Sequence, residues 1–207
     1  MSRIQLHRTT GQADWLAVPP HSYTIWQRLA ARTHGIVTLS NVVTIVGFAL
    51  VLIGLEEILN RRYLSATVLL AIGRFCDILD GWLAELTRTK SPLGELLDAA
   101  IDKILTILTV ATFYVAHIAP AWVLVALVTP HVLIVVILLA WRIRKRVLHP
   151  SLVGKLSMAG VWLSLLIYAL AQIVDLPAAA MAATQVIVVA SSVAGLYAAA
   201  QYIRGRD

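Results

Sequence analysis

Six of the eleven acidic residues in this 207-residue chain, Asp77, Asp80, Glu85, Glu95, Asp98 and Asp102, fall between positions 77 and 102. Both stretches that carry them are otherwise apolar. Asp77 and Asp80 are three apart and Asp98 and Asp102 four apart, so on helices each pair projects from one face about a turn from its mate. The short segment near residues 87–93 returns the second helix beside the first, which lets all four carboxylates converge. An oxygen-only donor set of this kind suits a hard divalent cation such as Mg²⁺ or Mn²⁺ and can bridge two of them, whereas no Cys/His set argues for zinc.

The small residues follow the same phasing. Gly81 lies four after Asp77, Ala84 three after Gly81, and Gly94 four before Asp98, so each helix presents a smooth patch on its acidic face. Small residues let helices pack closely; they also leave room for a bulky polyphosphate beside a metal. Sharing a face with the carboxylates favours the ligand role.

The elements that position these residues follow from composition. The chain is 59% hydrophobic and 14% charged, against about 45–50% and about 25% in soluble domains. Apolar runs at 36–55, 63–86, 96–118, 121–141, 152–173 and 178–203 each approach the roughly 20 residues needed to span a bilayer. The expected fold is all-α: a polytopic, six-helix transmembrane bundle with short antiparallel connections and no inserted soluble domain. Residues 1–35 form a cytoplasmic arm, 36–203 the membrane domain and 204–207 a cytoplasmic tail. In the arm, Ile25, Trp26 and Leu29 beside Arg28 and Arg32 suit an amphipathic juxtamembrane helix on the membrane surface.

Basic residues give the orientation. Twelve fall on the arm, the second and fourth loops and the tail, against only Arg61 and Arg62 on the opposite loops. The positive-inside rule then places both termini in the cytoplasm. The net charge of +6 therefore reports topology, with no nucleic-acid partner expected. Arg74, Lys103 and Lys155 fall inside or at the edges of spans and need partners or a water-filled cavity. The same constraint bears on the acids, since a carboxylate at the bilayer centre costs about 2.5–3.5 kcal/mol even on the lenient insertion scale. Cys76 excludes an intrachain disulfide, and no cleavable signal peptide is visible.

Together the residues read Asp77-x2-Asp80-Gly81-x2-Ala84-x9-Gly94-x3-Asp98-x3-Asp102. This pattern resembles the signature of the CDP-alcohol phosphatidyltransferases, D-x2-D-G-x2-A-R-x8-G-x3-D-x3-D. The spacing matches throughout and seven of the eight signature residues are present; Glu85 stands where the family has Arg. Ser40-Asn41-Val-Val-Thr44, entering the first span, also looks like a common family opening.

The resemblance implies a Mg²⁺- or Mn²⁺-dependent phospholipid-biosynthetic transferase. It would move a substituted phosphate from a CDP-alcohol, with CDP-diacylglycerol the expected donor, to an acceptor hydroxyl and release CMP. Asp77, Asp80 and Asp98 would hold a pair of ions, with Asp102 as shared ligand or neighbour and as general base. Gly81, Ala84 and Gly94 would make space for the cytidine and diphosphate. Asn41 and Thr44 would donate hydrogen bonds, and Arg88, one helical turn beyond Glu85, would supply the missing cation. The resemblance further implies a homodimer in the inner membrane, in contact with its lipids, with a cytoplasmic active site.

The acceptor is left open. Arg142, Arg144, Lys145 and Arg146, followed by His149 to Lys155, can cradle an acceptor phosphate such as that of glycerol 3-phosphate or inositol phosphate, with Arg142, Arg146 and Lys155 in contact. They can equally serve as an orientation signal. Two other readings compete: a CDP-alcohol-binding homologue impaired by Glu85, and an intramembrane cation transporter, against which the crowding of acids into one half of the chain counts.

Overall fold

A computed structural model describes residues 22–33, 38–89, 92–143 and 152–204. Among these residues the chain is helical with no strand: α1 (Ile25–Arg32), α2 (Leu39–Leu59), α3 (Tyr63–Leu86), α4 (Pro92–Val115), α5 (Ala121–Ile143), α6 (Leu152–Leu170) and α7 (Ala178–Arg204). Helices α2 to α7 occupy the six apolar segments, and α1 lies within the arm where a short helix is expected. By length and composition, Leu39–Leu59, Leu152–Leu170 and Ala178–Gln201 are apolar enough to cross a membrane, and Ala121–Ile137 is a shorter apolar stretch. α3 is as long as these but carries Arg74 at its midpoint and Asp77, Asp80 and Glu85 beyond it.

The helix ends have local causes. α1 begins in a capping box: the Gln27 N–H donates to Thr24 Oγ1, and the Thr24 N–H donates to Gln27 Oε1 at 3.0 Å. Thr38 caps α2, its Oγ1 accepting from the Asn41 N–H at 3.0 Å. Pro92 opens α4, where a missing N–H costs nothing. α2, α3 and α4 close through paired bonds of the Schellman type. At α3 the Thr89 N–H donates to Ala84 O at 3.1 Å and the Arg88 N–H to Glu85 O at 3.2 Å. The residues at the left-handed position, normally glycine, are Arg61, Arg88 and His117, with φ of 59°, 52° and 53°. Arg61→Gly is therefore expected to stabilise the protein by about 1 kcal/mol, seen as a higher melting temperature in detergent.

The described residues fall within two compact units, Met1–Ala49 with Ile72–Asp102 and Leu50–Ala71 with Lys103–Asp207. The second has a conventional apolar core, including Val51, Ile58, Leu70, Phe113, Leu127, Val161, Leu165 and Val188. There α7 packs against both α5 and α6. Pro130 interrupts the α5 ladder and leaves the Ala126 carbonyl without its helical donor. Ser192 Oγ on α7 lies 2.8 Å from that carbonyl and shares its proton between it and Val188 O. Gly195 makes this approach possible, since a Cβ there would sit 2.7 Å from Pro130 Cβ.

The first unit is built differently. Its buried side chains, among the described residues, are Gln27, Ala30, Thr38, Thr44, Asp80 and Thr89. Only Ala30 is apolar. A unit that buries hydroxyls, an amide and a carboxylate has to satisfy them internally, and those bonds define the site.

Candidate active site in the polar unit

Helix periodicity places Arg74, Asp77, Gly81 and Ala84 along one face of α3. The Arg74 guanidinium joins two of the expected site residues. Its Nη2 lies 3.1 Å from Asp77 Oδ2 on the same helix, and its Nη1 donates to Asp102 Oδ1 on α4 at 2.7 Å. The three side chains are 15%, 28% and 15% exposed for Arg74, Asp77 and Asp102. An ion pair this secluded adds little net stability because desolvation offsets the attraction. It does fix geometry: carboxylates from two helices are held against one cation.

Asp80 points elsewhere. It is 2% exposed and accepts from Thr44 Oγ1 on α2 at 2.5 Å. Ser40 Oγ donates to the Asp80 backbone carbonyl at 2.9 Å, and Thr44 Oγ1 also lies 3.1 Å from Ser40 O. The two helices meet closely because Gly47 faces α3: a Cβ there would lie 2.8 Å from Cys76 Cβ and 3.0 Å from Gly73 O. Thr44, expected to face the donor, thus engages Asp80, and Asn41 is half-buried at the first turn of α2.

The end of α3 is tied down by α1. Gln27, 5% exposed, donates through Nε2 to Thr87 O at 3.1 Å. The Thr87 hydroxyl in turn lies 2.7 Å from Thr89 Oγ1. Arg88 sits beyond this end, exposed and left-handed, so its relation to Glu85 is that of a helix terminus and not of a further turn. Glu85 is exposed on the last turns of α3.

Gly81 differs from the packing glycines. Among the described residues nothing lies within 4 Å of the place a Cβ would occupy. Against those residues its lack of a side chain serves no close helix contact, and it leaves space on the Asp77 face. Gly94 and Asp98 lie on the first turns of α4 and Arg142 on the last turn of α5, where only the backbone is described. Arg146 lies outside the described residues. Lys155 is exposed on α6, in the second unit. Among the described residues no three of His, Cys, Asp and Glu gather as a ligand group; Asp77 and Asp102 face Arg74, and Asp80 faces Thr44.

The aspartates thus lie on paired elements in the order of the signature, and comparison with known proteins decides what they belong to. The family model described as CDP-alcohol phosphatidyltransferase matches residues 37–196. The chain belongs to the CDP-alcohol phosphatidyltransferase family. The match takes in α2 through most of α7, including the whole of Asp77–Asp102. Over 64 residues the sequence is 39% identical to the archaetidylinositol phosphate synthase of Pyrococcus horikoshii, covering 31% of this chain and 34% of that protein. The chain thus aligns with about a third of the length of this curated relative. No solved structure matches. Beside the signature positions of the CDP-alcohol phosphatidyltransferases, the structure places two residues that spacing alone did not assign to the site: Arg74, one turn before Asp77, and Ser40, one turn before Thr44. The signal for Arg74 was its charge inside an apolar helix.

Proposed function

We propose that the protein is a membrane-embedded transferase that moves a substituted phosphate from a CDP-alcohol, with CDP-diacylglycerol as the favoured donor, to an acceptor hydroxyl, releasing CMP. The observation that carries this reading is the convergence of Asp77 and Asp102, from two helices, on a single cation beside the open face of Gly81. Family membership and the relative's name support it.

The residues fit the divalent ions of the reaction in kind: all four are carboxylates, and two of them, Asp77 and Asp102, are already drawn together around positive charge. Asp77, Asp80, Asp98 and Asp102 would hold Mg²⁺ or Mn²⁺, one ion or two. When bound, the metal supplies charge neutralisation of the donor diphosphate and Lewis-acid polarisation of its phosphorus. The chain's own residues do the rest. Asp102 accepts the proton of the acceptor hydroxyl as its oxygen bonds to phosphorus, and the bond from that phosphorus to CMP breaks. Gly81, Ala84 and Gly94 leave room for the cytidine diphosphate. Thr44 and Ser40 orient Asp80 through its side chain and backbone, Asn41 faces the donor, and Arg88 supplies positive charge from the end of α3.

The surrounding architecture in this reading is six crossings of the cytoplasmic membrane by α2 to α7, with both termini and the site cytoplasmic. α1 lies on the membrane surface; it exposes Ile25 at 74% while docking through the buried Gln27. Arg142, Arg146 and Lys155 bind the acceptor's phosphate, and the active unit is a homodimer. CMP release from CDP-diacylglycerol and from soluble CDP-alcohols, tested against glycerol 3-phosphate, inositol phosphate, serine and diacylglycerol, examines activity and substrate together. Release with no donor in the panel would reject the assignment.

Glu85 favours a second reading, in which the chain binds CDP-alcohols but turns them over poorly. A carboxylate where the family has Arg repels a diphosphate instead of pairing with it. Glu85→Arg is expected to raise kcat/KM about tenfold, mainly through KM. Tight binding without CMP release in the unaltered protein would favour this second reading; robust turnover there would dismiss it.

A further inference from the structure

Arg74 is an ionised side chain in the middle of an apolar helix, and it is not one of the signature positions. Its two outer nitrogens engage carboxylates of different helices, Asp77 Oδ2 at 3.1 Å and Asp102 Oδ1 at 2.7 Å. At 15% exposure the guanidinium has little water to replace these partners. Arginine suits this task better than lysine, because a planar fork can reach two acceptors at once while an ammonium acts as a point charge. Without such a group, Asp77 and Asp102 would repel each other in surroundings where solvent screens poorly.

We propose that Arg74 is a built-in counter-cation of the aspartate cluster, which keeps Asp77 and Asp102 drawn together in the metal-free protein and competes with the divalent ion for them. This rests on the transferase reading given above, in which the same two carboxylates hold the ion. Two cations cannot both be fully stabilised by one pair of carboxylates at contact distance. Loading therefore requires the guanidinium to give up at least one of its two contacts, and the site's metal affinity is set below what its carboxylates alone would provide. Arg74 is thus a positioning residue that trades affinity for a site assembled in advance.

The test uses the full-length protein in detergent with Mn²⁺ alone as probe, following free Mn²⁺ by electron paramagnetic resonance and stability by thermal melting. Arg74→Gln is expected to bind Mn²⁺ about tenfold more tightly and to melt lower than the unaltered protein when metal-free. Arg74→Lys keeps the charge but loses the two-pronged contact, and is expected to bind about threefold more tightly; it decides the matter alone if Arg74→Gln does not fold. Equal or weaker Mn²⁺ binding in the variants overturns the proposal while leaving the transferase reading intact. Absence of Mn²⁺ binding that Asp98→Asn removes from the unaltered protein defeats both.

Discussion

Asp102→Asn is expected to reduce CMP release by about 10²–10⁴-fold, the range for removal of a positioned general base. The substitution keeps the shape of the side chain and removes both its charge and its capacity to take a proton. Folding should survive it. Arg74 loses the strength of its 2.7 Å contact with Asp102 but retains Asp77 at 3.1 Å, so the guanidinium is not left as a buried charge without a partner. The measurement pairs single-turnover CMP release with a melting curve. Lost turnover with a preserved melt locates the effect in the site, through metal holding or proton transfer, and not in folding; full turnover in the variant would remove Asp102 from the mechanism.

Gly81→Leu makes the complementary case. A Cβ at this position would meet no described neighbour within 4 Å, so the variant is expected to fold and melt like the unaltered protein. In the proposed reading that space is reserved for the donor. A leucine there is expected to lower kcat/KM by about 10²-fold or more, since misplacing a reacting group by even 1 Å can cost that much. The contrast with Gly47 sharpens the test: a Cβ at Gly47 would lie 2.8 Å from Cys76 Cβ, so a leucine there should damage folding itself. If Gly81→Leu retained full activity, the open face would not be the donor site.

Much of this arrangement was legible in the residues. Apolar runs located α2 to α7, and α3 begins and ends at Tyr63 and Leu86, where the sequence placed that segment. The motif spacing set the aspartates on two successive helices. Boundaries slipped where caps overrode hydropathy: Thr38 holds the start of α2 at Leu39, and Pro92 opens α4 four residues ahead of the apolar run. No glycine marks the end of α3: Arg88 occupies the left-handed position, so the turn separating it from Glu85 is a helix terminus.

The site itself divided in the same way. Charge inside an apolar helix signalled that Arg74 needed a partner, and Asp77 three residues on was a visible choice. Asp102, 28 residues away, could be paired with it only through the return of α4. Thr44 illustrates the converse. Its sequence neighbourhood pointed to the donor, yet its hydroxyl holds Asp80, because Gly47 allows α2 to approach α3 closely enough for the two to meet. Contacts between helices depend on such close approaches, and hydrophobic periodicity does not encode them.

The central claim is that these aspartates serve a metal-dependent transfer from a CDP-alcohol. The most direct measurement is CMP release from CDP-diacylglycerol by the unaltered protein in the presence of the acceptor panel, first with Mg²⁺ or Mn²⁺ and then with excess chelator. Release that needs the metal, stops on chelation and returns when Mg²⁺ or Mn²⁺ is restored is the predicted result. CMP release that continues undiminished under chelation would contradict it.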